Sequence, residues 1–396
     1  MNDDLKILLI FTPKVGYQHD VLEGIRQYTA RLPKWSLKGV HQNHPGIAGL
    51  IKRWRPDGII GLIEHEGLAA GIRKLGIPSV DVAGCIRHPL GGQVHIDDLQ
   101  VGQIAAEFFL AQGFRNFGFF GESTALFSQE RLRGFTATLE AAGAECKTQF
   151  LSNPEKQFDR TAEWFGANHG LADWLQELPR PAAVLCSHDQ HGLVLLNTCR
   201  QYDLSVPFDI SVLGVDDNTL MCHLASPSLS SIRQSGIQIG FRAAKLLDDI
   251  INAQADPHTN ITLETPGIVQ RDSTRHNAIE DSDVVGVMKI IHDNCGRRIR
   301  IGDLIGSAAI SRRALEMKFH RALGHGIWAE VQRTRVEMAK KLMRETDMKM
   351  SAIARRVGFT SGAHLTEAFQ RIAGSLPSVY RRRMRYPEDT NGITEI

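Results

Sequence analysis

The sequence predicts doubly wound α/β sheets of parallel strands over about its first 270 residues, followed by a domain made only of helices. In the first part, short apolar segments alternate with amphipathic stretches. After residue 282, the apolar residues recur only at the spacing of a helix. The charge changes at the same place: residues 283–386 hold 21 Lys and Arg against 9 Asp and Glu, and the remainder holds 25 against 35. A basic domain on an acidic body indicates a chain that binds a polyanion at one end.

The α/β part rests on apolar strand candidates separated by helices and short turns. The strand candidates are Ile7–Phe11, Gly58–Ile63, Ser79–Val82, Phe117–Phe120, Ala183–Cys186 and Ser211–Val215. The helix candidates between them include His19–Arg31, Val101–Gln112, Gln129–Ala142 and His191–Tyr202. Helical crossovers between successive strands make the sheets parallel.

The segment Gln270–Ser282 is polar and lacks periodicity, which predicts a linker. We place the linker at 273–282, between an α/β domain of residues 1–272 and a helical domain of residues 283–386. Residues 387–396 are polar, and we predict that they are disordered.

Composition excludes several classes of protein. No apolar run approaches the roughly 20 residues of a membrane helix, and the first residues are acidic where a signal peptide would be basic. The six cysteines form no C-x-x-C pair, which is typical of a reduced cytoplasm rather than of disulfides or zinc. No nucleophile elbow, phosphate-binding loop or dinucleotide loop is present. We therefore expect a cytoplasmic protein that is not an enzyme and needs no cofactor.

The segment 350–383 predicts a helix-turn-helix. Ile353 and Val357 form an apolar helical face, Gly358 permits the chain to reverse, and Ser361 can cap the next helix, whose core residues include Phe369. A helix-turn-helix places its second helix in the DNA major groove.

This segment resembles the arabinose-regulator (AraC) family in its IARRVGF block at 353–359 and its P-S-x-Y-R-R motif at 377–382. The resemblance implies two helix-turn-helix units joined by a long helix. The first unit would be Ile301–Arg321, with Asp303–Ala309 as its supporting helix and 312–323 as its recognition helix. Trp328–Met343 would be the connecting helix, and Ser361–Ile372 the second recognition helix.

The candidate DNA contacts lie on the exposed sides of these helices, where Arg suits guanine edges. The first unit offers Ser311, Arg312, Arg313, Glu316, Met317 and His320, and the second offers Thr360, Ser361, His364, Glu367 and Gln370. Arg381 and Arg382 are candidates for phosphate contacts, the alternative being that they serve solubility alone. The second helix carries Gly362, Ala363 and Glu367, so we expect the first to read more bases.

The α/β part resembles the effector domain of the lactose/galactose-repressor family, whose fold is shared with periplasmic sugar-binding proteins. The matching runs are 94–122, 130–143, 183–192, 210–217 and 227–234. The resemblance implies a homodimer of two-lobed, periplasmic-binding-protein-like domains, with the chain crossing between lobes near residues 114, 231 and 262. A repressor-like sensor without an N-terminal headpiece, followed by an AraC-type module, is similar to the bacterial xylose-regulator family, as is the segment 171–179.

The repressor resemblance also implies a monosaccharide cleft. It makes Arg131 the hydroxyl-clamping arginine, Asp216 a carboxylate acceptor, Asp97 the hinge-side acid and Trp164 the stacking aromatic, with Trp174 as the alternative. The complete set of candidates is Tyr17, His19, Asp97, Glu130, Arg131, Trp164, His188, Asp189 and Asp216. His188 and His191 lack a visible third ligand, so we expect no metal.

These patterns predict a sugar-responsive transcription regulator, an activator of pentose catabolism genes. Its partners would be an operator in double-stranded DNA, xylose or a similar monosaccharide, a second copy of the chain and RNA polymerase, with no membrane. The alternatives are a regulator of the same architecture that responds to another sugar or has lost ligand dependence, and an enzyme with a DNA-binding tail.

Overall fold

The computed structural model describes residues 4–11, 16–30, 35–151, 169–297, 299, 301–306 and 310–385. The chain divides into two compact units, Met1–Ala278 and Ile279–Ile396. The first unit is α/β and the second is helical within the described residues. No helix in the described part of the chain is long and apolar enough to cross a membrane.

The first lobe of the α/β unit is built on a six-stranded, fully parallel sheet in the order β11-β5-β4-β3-β1-β2. From Ile7 onward strand β1 is apolar because helices cover both faces of the sheet, and Ile7, Leu8 and Ile10 are fully buried. The strands are β1 (Leu5–Ile10), β2 (Trp35–Val40), β3 (Gly58–Gly61), β4 (Ser79–Asp81), β5 (Gly92–Ile96) and β11 (Asn260–Leu263). The helices that follow the first strands are α1 (Tyr17–Thr29), α2 (Ile47–Trp54) and α3 (Glu66–Arg73).

The second lobe repeats this plan in the order β12-β10-β9-β8-β6-β7, with β12 antiparallel to β10. Its strands are β6 (Asn116–Gly121), β7 (Cys146–Phe150), β8 (Ala182–Cys186), β9 (Ile210–Asp216), β10 (Ser230–Arg233) and β12 (Ile268–Val269). Its helices are α5 (Leu126–Ala141), α6 (His169–Glu177), α7 (Asp189–Gln201) and α8 (Thr219–Leu224). The predicted strands and helices of the α/β part that lie in described residues are therefore confirmed within a few residues.

The two lobes exchange helices. Helix α4 (Asp98–Ala111) follows β5 of the first lobe but packs along α5 of the second, where a Cβ on Gly102 would overlap the Arg131 carbonyl oxygen. Helix α9 (Gly236–Ile251) follows β10 of the second lobe but packs along α1, where a Cβ on Gly240 would overlap the Val21 carbonyl oxygen. The first crossing therefore lies at residue 97, before α4, and not near 114 as predicted. The other crossings, at 233–236 and 263–268, lie close to the predicted 231 and 262.

The predicted linker at 273–282 needs correction at its start. Residues 272–274 form a 3₁₀ helix whose Ser273 is fully buried and donates to the Val212 carbonyl at 2.6 Å. Ala278 N–H donates to the Gln112 carbonyl at 3.0 Å. Small hydroxyl side chains made this segment look like a free loop, but they pair with buried backbone groups of the sheet. The predicted tail, 387–396, lies outside the described residues.

The second unit contains seven described helices, and its helix-turn-helix pattern agrees with the prediction. The seven helices are α10 (Ser282–Asp293), α11 (Ile301–Gly306), α12 (Arg312–Leu323), α13 (Ile327–Glu345), α14 (Met350–Arg356), α15 (Gly362–Ala373) and α16 (Pro377–Arg385). The Ser311 and Ser361 side chains accept the backbone N–H groups of Ala314 and His364, so each recognition helix begins at a serine cap. Residues 307–309 of the predicted supporting helix lie outside the described residues.

Candidate functional site

A cleft of about 1540 Å³ opens between the two lobes, where the carboxyl ends of the parallel strands meet. Side chains that follow strands of both sheets line the cleft: Tyr17, Glu64, Cys85, Glu122, His188 and Asp216. A backbone hydrogen bond from Leu126 N–H to the Cys85 carbonyl, at 3.0 Å, joins the lobes at one side of the cleft.

An ion pair between Arg131 and Asp98 forms one wall of the cleft. Arg131 Nε donates to Asp98 Oδ1 at 2.8 Å, and both side chains are nearly buried. Arg131 Nη1 also donates to the Ser187 carbonyl, and its guanidinium lies 4.8 Å from the centre of the Phe127 ring. Burial raises the pKa of Asp98, an effect that Arg131 opposes. The arginine is thus held rigidly beside an aromatic face.

The hinge-side acid of the cleft is Asp98 and not the predicted Asp97. Asp97 has extended backbone and caps α4, where its Oδ1 accepts Gln100 N–H at 3.0 Å. Asp98 is the first residue of the helix, and its side chain turns toward Arg131 and the cleft. In a pair of adjacent acids, the residue that takes the cap position is fixed by the backbone angles.

Asp216 faces the cleft from the end of β9. Gln234 Nε2 donates to its Oδ1 at 2.5 Å. Burial raises the pKa of Asp216, and the charge of Arg131 opposes that rise. The neighbouring Asp217 instead forms ion pairs with Arg271 at 2.6 Å and Arg233 at 3.0 Å. The structure therefore separates the two acids of this motif into one cleft residue and one residue of a salt-bridge network.

Asp189 lies at the floor of the cleft, but its carboxylate is occupied by the protein. Its Oδ2 accepts Asn218 N–H at 2.7 Å, and its Oδ1 accepts the Ser231 hydroxyl at 2.6 Å. Cys222 Sγ adds a third contact at 3.4 Å. Burial raises the pKa of Asp189 well above its usual range. Asp189 thus supports the loop that carries Asp216.

Glu122, His188 and His191 form a cluster whose side chains could in principle hold a metal ion. The two imidazole rings stack 3.8 Å apart, and Glu122 Oε1 lies 3.3 Å from His188 Nε2 and 3.6 Å from His191 Nε2. His188 Nδ1 caps α7 by accepting His191 N–H, which places its proton on Nε2, facing Glu122. That tautomer leaves no lone pair on His188 Nε2 for a metal. Burial lowers the pKa of His191 well below its usual value, so that ring is neutral.

Five of the nine predicted ligand residues line the cleft: Tyr17, Arg131, His188, Asp189 and Asp216. Tyr17 Oη donates to the Val82 carbonyl at 2.6 Å, and burial followed by the Asp81 charge raises its pKa well above its usual value. Cleft residues that sequence reasoning did not single out include Gln18, Glu64, Asp98, Glu122, Phe127 and Gln234. Asp98 and Gln234 follow strand ends, and that position was the available signal.

Of the other candidates, Asp97 caps α4, and His19 and Glu130 do not line the cleft. The His19 side chain is 79% exposed, because consecutive residues of a helix point about 100° apart and Gln18 takes the inward position. Glu130 pairs with Arg133 at 2.5 Å on the outside of α5. Trp164 lies outside the described residues, and its alternative, Trp174, is a core residue packed against Gly118.

In the second unit, α12 buries Leu315 and Phe319 and exposes Arg312, Arg313, Met317 and His320. Glu316 is half-buried, and its Oε2 accepts Ile327 N–H at 3.4 Å, at the N-terminus of α13. The prediction that Glu316 contacts DNA therefore needs correction: the carboxylate compensates a helix end that lacks its own side-chain cap.

Helix α15 buries Leu365 and Phe369. Its predicted contact residues Thr360, Ser361, His364, Glu367 and Gln370 are all exposed. Arg382 is exposed as well. Arg381 is half-buried, and its Nη2 donates to the Met348 carbonyl at 2.7 Å, so it fastens α16 to the turn before α14.

Comparison with known proteins agrees with this division. Residues 106–274 match a family described as a periplasmic binding protein-like domain, and residues 304–383 match a helix-turn-helix domain. The chain is 25% identical to the xylose operon regulatory protein of Escherichia coli K12 over 385 residues, which is 95% of this chain and 96% of that protein. The corresponding protein of Haemophilus influenzae is 26% identical, over 95% of this chain and 98% of its own. The solved structure of a xylose-binding transcription activator shares the fold, with a TM-score of 0.78, 23% identity and coverage of 96% and 98%.

Proposed function

We propose that this homologue of the xylose operon regulatory proteins, which joins a periplasmic-binding-protein-like sensor to an AraC-type helix-turn-helix domain, activates transcription in response to xylose or a similar pentose. The chain is a sugar-sensing, DNA-binding regulator and not an enzyme. We propose in addition the identity of the ligand, the residues that bind it, the assembly and the sign of regulation.

The observation that carries the sugar proposal is the Arg131–Asp98 pair beside the Phe127 ring. A guanidinium fork and a carboxylate suit vicinal hydroxyls, and an aromatic ring suits the C–H face of a sugar. Asp216 with Gln234, and Glu122 with His188, supply further acceptors and donors. Phe127 lines the cleft beside Arg131, and we assign the aromatic contact with the sugar to it.

The charge of the cleft favours a neutral ligand. The lining includes the carboxylates of Glu64, Asp98, Glu122 and Asp216, whereas Arg131 is already paired. A phosphorylated sugar would face these carboxylates at short range, where like charges cost several kcal/mol. We therefore expect a free monosaccharide rather than a sugar phosphate or a sugar acid.

For DNA, we propose that Arg312, Arg313, Met317 and His320 read bases. The second recognition helix and Arg382 would contribute mainly phosphate and shape contacts, apart from Glu367, whose carboxylate repels phosphate. The regulator would act in the cytoplasm as a homodimer that recruits RNA polymerase. Sugar binding would move one lobe against the other and realign the two DNA-binding domains. Sugar can act as a switch only if it binds the DNA-competent arrangement more tightly than the other.

A thermal-shift series tests the ligand, with D-xylose, L-arabinose, D-ribose, D-glucose and D-xylose 5-phosphate added to the full chain. A sugar at 100 times its dissociation constant stabilises the protein by about 2.7 kcal/mol. We expect D-xylose or another pentose to raise Tm, and the phosphate ester to have no effect. If no monosaccharide raises Tm and none changes the affinity for DNA, the regulator has lost ligand dependence. Stabilisation by glucose alone would indicate a hexose regulator of the same architecture.

A further inference from the structure

A buried arginine lies between the turn after α10 and the second helix-turn-helix unit. Arg335, on the connecting helix α13, is only 5% exposed. In the part of the chain that the structure describes, no Asp or Glu pairs with its guanidinium. Burying a cation without a carboxylate is costly, so its hydrogen bonds must compensate. Because Arg335 is turned away from the exposed face, we expect it to serve the architecture of the domain.

On one side, the partners of Arg335 are backbone carbonyls of the turn after α10, a helix that packs on the first recognition helix, α12. Its Nε donates to the Cys295 carbonyl at 3.2 Å, and its Nη2 donates to the Arg297 carbonyl at 2.9 Å. Cys295 Sγ also contacts Met338 of α13 at 3.2 Å. The turn after α10 is therefore held to the connecting helix by a fork of two donors that only a planar guanidinium supplies.

The same guanidinium also contacts the second helix-turn-helix unit. It lies 5.8 Å from the centre of the Phe359 ring, in the turn between α14 and α15. Gly358 in that turn has φ of 85°, and a Cβ there would lie 2.9 Å from Arg335 Nε and 2.8 Å from the Cys295 carbonyl oxygen. A Cβ on Gly296 would lie 2.8 Å from the Arg356 carbonyl oxygen. The turn after α10 and the turn of the second helix-turn-helix unit are therefore in direct contact around Arg335.

We propose that Arg335 is a positioning residue that fixes the two recognition helices, α12 and α15, in one relative orientation and so sets the spacing of the DNA segments that one chain reads. This inference rests on the proposed function in one respect, namely that both helices contact DNA. Two elements held rigidly gain affinity only for a duplex that presents both segments at the matching distance and angle. Inserting one base pair moves the second segment by about 3.4 Å and turns it by about 35°.

The test uses the full chain and a duplex selected from a random library by the wild-type protein, with the contacted segments located by footprinting. Binding is measured to this duplex, to one with a single base pair inserted between the segments, and to one with the second segment scrambled. Arg335→Lys keeps the charge but lacks the planar fork that reaches both carbonyls and the Phe359 ring at once. Met343→Ala is the matched control, because Met343 is buried on the same helix, in the core of the second helix-turn-helix unit, and forms none of the hydrogen bonds of Arg335.

For the wild type we expect the insertion to weaken binding by about tenfold or more. Arg335→Lys should weaken binding to the intact duplex, reduce the effect of the insertion to about threefold or less, and leave binding to the scrambled duplex unchanged. Met343→Ala should lower Tm yet keep the full effect of the insertion. If Arg335→Lys retains the wild-type insertion effect, the proposal is overturned.

Should Arg335→Lys fail to fold, Gly358→Ala carries the test, since its methyl group would displace the guanidinium from the turn. The same loss of spacing preference is expected, and its retention would overturn the proposal. A wild-type chain that selects no preferred duplex would instead contradict sequence-specific DNA binding, which is part of the proposed function and a separate failure.

Discussion

Asp189 accepts the backbone N–H of Asn218 at 2.7 Å, directly after two consecutive residues, Asp216 and Asp217, with φ of 115° and 51°. Positive φ costs a residue other than glycine about 1–3 kcal/mol, so surrounding structure must hold the loop in place. Asp189 does so from the neighbouring strand end, with help from Ser231, whose hydroxyl also accepts Asp217 N–H at 2.9 Å. The orientation of Asp216 in the cleft therefore depends on Asp189, a buried residue whose carboxylate already accepts hydrogen bonds from the protein.

Asp189→Ala should lower sugar affinity without removing a direct sugar contact. The substitution leaves the Asn218 N–H and the Ser231 hydroxyl buried without their acceptor, which costs about 1–3 kcal/mol each. The loop then relaxes and Asp216 loses its position. Calorimetry would give the sugar dissociation constant, and urea unfolding the stability. Cys222→Ala is the control, because it removes only the weak thiol contact to the same carboxylate. Unchanged sugar affinity in Asp189→Ala would refute the supporting role.

Arg131→Ala and Asp216→Ala should each abolish the sugar-induced rise in Tm while leaving sugar-free DNA affinity within a few-fold of wild type. Arg131 is hydrogen-bonded on both sides and cannot be replaced by water without leaving Asp98 buried and unpaired. Truncating a buried charged group that hydrogen-bonds to the bound partner costs about 2–5 kcal/mol, or roughly 30-fold or more in affinity. A sugar-induced Tm shift of wild-type size in either variant would show that the cleft has been misassigned. Glu130→Ala, on the outer side of α5, is the control that should keep the shift.

Asp81 gives the sensor a predictable dependence on pH. It is fully buried beneath the cleft, and burial raises its pKa to about 6. The folded state therefore favours the protonated carboxyl, whose stabilising effect is present below the unfolded pKa of about 4 and is lost as pH rises through 6. Asp81→Asn, which mimics the protonated form, should be more stable than wild type at pH 8 by about 1–3 kcal/mol and nearly equal at pH 4. Urea unfolding at both values would measure this, and a pH-independent difference would contradict it.

The sequence was sufficient for the order of elements, because apolar strands, serine caps and positive-φ glycines act over a few residues. Ser311, Ser361 and Gly358 mark the recognition helices where the structure has them. The resemblance to the repressor family was also sufficient to bring Arg131 and Asp216 to the cleft, which they enter from α5 and from the end of β9.

The errors share one physical cause, which is that they depend on contacts between distant segments. Asp98 faces the cleft because it pairs with Arg131, which lies on another helix, 33 residues later. The crossing at 97 rather than 114 depends on the close contact of Gly102 with α5. Glu316 is drawn to the N-terminus of α13 by an uncapped helix that begins eleven residues later. No local pattern contains these partners.

The last prediction concerns which residues read bases. Arg312→Ala and Arg313→Ala should relax sequence preference, each costing about 1–3 kcal/mol at specific sites and little at nonspecific ones, because both side chains are exposed at the start of α12. Arg382→Ala should instead weaken all sequences alike and reduce the salt slope by about one, as expected for one phosphate contact. Glu316→Gln should change sequence preference little, because its carboxylate faces α13. Site selection from a random library, repeated at several salt concentrations, would measure all four variants. An unchanged consensus for the Arg312 and Arg313 double variant, together with an altered consensus for His364→Ala or Glu367→Ala, would move base reading to α15.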